Sequence, residues 1–221
     1  MEPFVSGMAS SLAASALVFV AVRLVSVRAR DWLTAVVSRW TGLGIRRVYL
    51  RQQDAEADVA RDLRRARWVK VLAGRGNALT REAFAPLRSG VGDGLESAHI
   101  LLPTADSHPD SWLDRRAREL RDSDPGMETD ILAEQVHTNA AYVGAIARER
   151  SSVELRRYEL PHLFRVIATD EGAYLTFYER GRHGRGSPCI YAKRPGVLYD
   201  AALAVFGTVW HGSPTTTGST R

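Results

Sequence analysis

The sequence predicts an α/β domain, strands covered by helices, and three patterns carry that prediction. Two short apolar runs, at 68–73 and 97–102, end at Gly74 and Pro103 and are separated by a helical stretch, the signature of a parallel βαβ unit. Residues 128–150 repeat Ile131, Leu132, Val136, Ala140, Val143 and Ala147 at helical spacing. After residue 153 come short alternating or apolar runs, two of them joined by the turn Asp170-Glu171-Gly172.

The elements follow in order. Residues 8–27 (MASSLAASALVFVAVRLVSV) form a 20-residue stretch with one charge, Arg23. That length suits a bilayer span of about 20 residues. A cleaved signal peptide fits less well, because the start Met1-Glu2-Pro3 has no basic side chain; a buried core helix is the other reading. Arg28, Arg30, Arg39, Arg46 and Arg47 lie after the stretch and none before it, which orients a single-pass anchor with its N-terminus out and the remaining chain in the cytoplasm. The expected division is an anchor at 1–30, a juxtamembrane amphipathic segment at 31–47, an α/β domain at 48–211 and a flexible tail at 212–221. In the second of these, Trp32, Leu33, Val36, Val37 and Trp40 share one helical face, suited to a membrane interface or to packing on the domain.

Residues 48–67 read as helical. A strand at 68–73 and a helix at 80–87, with Thr80 as N-cap, come next. Then follow a strand at 97–102, a charged helix at 111–121, the turn Asp124-Pro125-Gly126 and the long helix. Strands are expected at 153–158, 163–169, 173–178 and 187–192, and a closing helix at 198–210 turns Leu203, Phe206 and Trp210 inward. The 180–186 stretch is a Gly/Arg loop.

Composition narrows the function classes. Of 221 residues, 45% are hydrophobic and 25% charged, ordinary globular values that exclude collagen-like and wholly disordered chains. A mean hydropathy of −0.20 excludes a multi-span membrane protein. Thirty Lys+Arg against 25 Asp+Glu give a net charge of +5, and Lys70 and Lys193 are the only lysines. Arginine excess points to anionic partners. Cys189 is the single cysteine, so no intrachain disulfide forms. The six histidines are scattered without metal-ligand spacing, so no metal and no cofactor is expected.

Candidate chemistry concentrates in few places. Gly74-Arg75-Gly76 follows a strand where α/β folds bind anions, or forms a plain tight turn. Arg165 interrupts an otherwise apolar strand, and an unpaired buried guanidinium is costly, so it must reach a pocket or a carboxylate such as Asp170.

This arrangement resembles the phospholipase D superfamily over roughly residues 48–210. Against that family's His-x-Lys-x-x-x-x-Asp strand, Asp170 matches the Asp, Arg165 stands at the Lys and Leu163 at the His, while His162 is one residue off. The Gly-Ser-x-Asn continuation is missing. A closer resemblance is to a motif-lacking bacterial branch, through Ala73-Gly74, Leu101-Leu102-Pro103, Arg156-Arg157-Tyr158, Phe164-Arg165 to Asp170, and Ser187-Pro188. The implied fold is a phospholipase D-like half-domain, a mixed sheet flanked by helices, here preceded by one transmembrane helix. The resemblance also implies a homodimer, because active members pair two halves.

The favoured function is a membrane-anchored, non-catalytic domain binding a phosphate-bearing ligand or protein partner, with Arg75, Arg156, Arg165, Asp170 and Ser187 around the site. One alternative is an active phosphodiesterase with a histidine nucleophile, His162 beside Asp170 or His183. Another is a nucleic-acid-binding module using Arg180, Arg182, Arg185, Lys193 and Arg194 with Tyr178 and Tyr191.

Overall fold

A computed structural model describes residues 27–89, 94–105, 111–126, 129–161, 163–179, 181 and 183–214. The order is α1 (Val27–Thr41), β1 (Ile45–Tyr49), α2 (Glu56–Leu63), β2 (Trp68–Leu72), α3 (Pro86–Ser89), β3 (Ser97–Pro103), α4 (Trp112–Arg121), α5 (Thr129–Glu149), β4 (Val153–Tyr158), β5 (Phe164–Thr169), β6 (Gly172–Phe177), β7 (Cys189–Lys193) and α6 (Val197–Gly212). Short 3-10 turns lie at Gln52–Ala55, Glu82–Phe84 and Gly184–Gly186.

The seven strands make one mixed sheet, ordered β1-β7-β6-β5-β2-β3-β4. β2, β3 and β4 run parallel, and β5, β6, β7 and β1 extend the sheet antiparallel from β2. The β3 run is apolar throughout because both of its faces are covered: Ile100, Leu101 and Leu102 are all fully buried. Alternation then sorts the side chains. Val69, Val71, Ile100, Leu102 and Ile167 join α2 and α5 on one face. Leu72, Leu101, Val166 and Ala168 meet α6 on the other, through Tyr199, Ala202, Phe206 and Trp210 at three- and four-residue spacing. Ser111 caps α4, its Oγ accepting from the Asp114 amide at 3.1 Å.

Two expectations change near the N-terminus. Residues 45–49 form an edge strand paired with β7, so β1 runs across the boundary drawn at residue 48, and helix begins only at Glu56. Gly44, at φ +78°, makes this edge possible: a Cβ there would meet Gly196 Cα and the Lys193 carbonyl at 2.8 Å. Ser38 of α1 accepts from the Ile45 amide, and Asp31 pairs with Arg47 at 3.1 Å, while Trp32, Leu33, Val37 and Trp40 stay exposed. Thr80 is not an N-cap; its hydroxyl donates to the Asn77 carbonyl, and the segment forms a 3-10 turn followed by the one-turn α3.

The expected architecture of a phospholipase D-like half-domain behind a transmembrane helix is corrected. The α/β class with a mixed sheet stands, but among the described residues no helix is long and apolar enough to cross a membrane. All of the stretch at 8–27 except Val27 lies outside the described residues. α1 itself carries Arg28, Arg30, Asp31 and Arg39 in its fifteen residues, a charge density incompatible with a span. The single-pass cytoplasmic-membrane placement, the membrane as partner through 8–27 and the description as a phospholipase D-like membrane protein are therefore withdrawn.

Candidate anion site

Parity decides where Arg165 points. It shares a strand face with Ile167, the face packed by α2 and α5, and the β2–β5 register continued by one step sets Ala73 opposite it. The small Ala73 and the turn after it leave a cavity of about 110 Å³ at the end of β2. Arg165 reaches into this cavity at 8% exposure, and its Nε and Nη2 have no hydrogen-bond partner. No carboxylate answers it among the described residues.

Four more guanidiniums line the same cavity: Arg75, Arg81, Arg116 and Arg185. Arg75 sits in the turn after β2. Asn139 of α5 locks that turn, its Nδ2 donating to the Arg75 carbonyl at 2.7 Å and to Asn77 Oδ1 at 2.6 Å. Gly76, at φ +78°, lets the turn pass under Leu102, whose Cδ2 would lie 2.9 Å from any Cβ. Arg75 Nη1 donates to Gln135 Oε1 at 3.3 Å and Nη2 to His183 Nδ1 at 3.2 Å. A guanidinium only donates, so His183 Nδ1 accepts and its proton sits on Nε2, which donates to Asp124 Oδ2 at 3.0 Å. Burial pulls the Arg75 pKa below its ordinary value.

Arg116 comes from α4, where Trp112, Arg116 and Leu120 form one stripe at four-residue spacing facing the cavity. Its Nη1 pairs with Glu119 at 2.9 Å, and its guanidinium lies 5.9 Å from the centre of the Tyr178 ring. At the mouth, Arg81 and Arg185 share Glu56, at 2.7 and 3.8 Å. Glu56, Glu119 and Asp124 are carboxylates paired with this group, Asp124 through His183. Around the buried Arg165 guanidinium, low polarity strengthens any anion's attraction.

Of the five ligand residues expected from sequence, only Arg75 and Arg165 meet in the cavity. Arg156 is on the opposite sheet face, bound to Glu154 at 2.8 Å and to the Trp210 carbonyl at 2.9 Å, with its guanidinium 4.3 Å from the Trp210 ring centre. Asp170 accepts from the Arg67 amide at 2.9 Å, at the far end of β5. Ser187 is buried and structural: its carbonyl accepts from the Gln52 amide at 2.8 Å and its Oγ from the Glu179 amide at 3.4 Å. His162 lies outside the described residues. His183 has both ring nitrogens engaged, leaving no free lone pair for nucleophilic attack.

The basic-loop alternative also divides. Arg180 and Arg182 lie outside the described residues, and Tyr178 forms a wall of the cavity. Arg185 lies in the 3-10 turn before β7 and Lys193 is the last residue of that strand, so β7 runs between them. Arg116 and Gln135 were not expected at the site, and His183 was expected only as a nucleophile of the phosphodiesterase alternative. The signal for Arg116 was present: it shares its helical stripe with two buried apolar residues.

No family model matches this sequence, and no curated protein matches it. The phospholipase D-like resemblance thus rests on the short pieces quoted above. Among solved structures, the chain is similar to TrmBL2, an archaeal chromatin protein whose structure is described as showing a novel mode of DNA binding. The TM-score is 0.46 at 12% identity, over 97% of this chain and 69% of that chain, a likeness too distant to carry a functional argument.

Proposed function

We infer that the domain binds a phosphate-bearing ligand, with the phosphate seated on Arg165 and Arg75. The observation behind this reading is the buried Arg165 guanidinium with two unpartnered N–H-bearing nitrogens aimed into a cavity lined by four further arginines. Unmade hydrogen bonds on a buried ion are expensive, and an oxyanion satisfies both at once through the planar fork of arginine. A phosphate monoester presents such an oxyanion, with several strong acceptor oxygens and up to two negative charges. Arg116 and the mouth arginines Arg81 and Arg185 supply further donors.

Titration calorimetry with methyl phosphate tests this. Binding is expected in the wild type, weakened at least tenfold in Arg165→Met and in Arg75→Gln. Absence of binding in the wild type at millimolar ligand overturns the reading.

A second reading takes the phosphate from a nucleic acid backbone. The exposed side chains of Arg81 and Arg185 at the mouth favour it. In that case a single-stranded oligonucleotide binds with a steep inverse dependence on salt. Methyl phosphate binding without any oligonucleotide binding at low salt removes it.

A further inference from the structure

Arg165 separates two cavities. Beyond the anion site lies a second space of about 320 Å³, at the lower end of the range for small-molecule sites. Gln52, Ala78, Arg81 and Arg165 line both, so the two are contiguous across the guanidinium.

The second space differs in chemistry. Its floor is Val59, Phe84 and Ile167, all core residues, and its sides include Ala57 and Ala83. The acids at its edge are Glu56 and Glu82, already paired with Arg81 and Arg88. It adds no cation beyond those shared with the anion site, so it gives an anionic group nothing to bind and two carboxylates to avoid. Among the residues that line it alone, no neutral polar side chain is present. Gln52, Glu56 and Glu82 can hydrogen-bond at its edge, but a hydroxyl-rich arm or a nucleobase lying over the Val59–Phe84–Ile167 floor loses hydrogen bonds to water without replacement there. An apolar arm loses none and buries its surface.

We propose that the ligand is an alkyl-type phosphate monoester, its headgroup on Arg165 and Arg75 and its aliphatic arm in the cavity over Val59, Phe84 and Ile167. This rests on the phosphate-binding reading above and adds the class of the organic arm.

The test is calorimetry on the full chain with inorganic phosphate, methyl, butyl and hexyl phosphate, and glucose 6-phosphate. Affinity is expected to rise with chain length, by up to about fourfold per buried methylene and at least tenfold from methyl to hexyl phosphate. Glucose 6-phosphate should bind no better than methyl phosphate. Ala83→Leu and Ala57→Leu, at half-buried and exposed positions where folding tolerates the change, should each abolish the chain-length gain while leaving inorganic phosphate affinity within twofold. If hexyl phosphate binds no more tightly than methyl phosphate, if both leucine variants keep the gain, or if glucose 6-phosphate binds most tightly, the aliphatic arm is wrong and the phosphate site stands. Failure of every phosphate, inorganic included, overturns the underlying anion site.

Discussion

Replacing Arg165 with methionine should make the ligand-free domain more stable. The side chain is 8% exposed, and Nε and Nη2 have no partner. A buried donor left unsatisfied costs about 1–3 kcal/mol, and exchanging buried ionic groups for apolar ones of similar volume has yielded gains of about 1–4 kcal/mol. Methionine follows the same unbranched track past Ile167 and adapts to irregular space. A gain of about 2 kcal/mol is therefore expected, a rise in Tm of roughly 4–8 °C for a domain of this size. Calorimetric melts in phosphate-free buffer measure it. Adding methyl phosphate then closes most of that gap: wild type gains about 2.7 kcal/mol at a hundredfold excess over its Kd, whereas a variant that binds tenfold more weakly gains about 1.4 kcal/mol. A variant less stable than wild type by more than 1 kcal/mol without ligand would falsify the reasoning, because the guanidinium would then be satisfied within the fold.

Other outcomes follow from the same contacts. Asn139→Ala removes the two bonds that fix the Arg75 turn and should cost about 1–3 kcal/mol, read as a lower urea midpoint together with weaker phosphate binding; unchanged binding would show that the turn needs no lock. Arg156→Ala, on the other sheet face, should leave phosphate affinity unchanged within twofold by calorimetry, and a larger loss would contradict the assignment of faces. Burial pulls the Asp58 carboxyl up, but the Tyr49 hydroxyl, Arg61 and Arg47 outweigh burial and hold its pKa below the ordinary value. Its stabilisation is thus complete above the unfolded-state value of 3.8 and lost as pH falls through and below it. Urea midpoints measured from pH 7 to pH 2.5 should therefore fall less steeply on the acid side in Asp58→Asn, and parallel curves would refute the linkage.

What the sequence made legible follows from what each element depends on. β2, β3 and the long α5 were readable because their burial pattern is local: an apolar run for strands covered on both faces, a 3.6 period for a helix covered on one. β1 was not, because Ile45-Arg46-Arg47-Val48-Tyr49 gains its strand character only by pairing with β7, 144 residues later. Arg165 stood out because a cation in an apolar strand has few explanations. Its supposed partner Asp170 failed because five residues along a strand separates the two by about 17 Å and turns them to opposite faces. Arg156 failed for the same reason of parity, since sequence order says nothing about which face a strand presents to the cavity. His183 could not be linked to Arg75 from sequence, because their contact is 108 residues long-range.

The β1–β7 pairing also sets a timetable. During synthesis at roughly 5–20 residues per second, the first strand emerges about 7–30 s before the strand that completes its hydrogen bonds. Through that interval the other elements can dock only onto a sheet missing its outer border, and β1 waits with an open backbone ladder next to the exposed Trp32 and Trp40 of α1. The nascent chain is most vulnerable to mispairing then, and completing the last fifth of the polypeptide ends it.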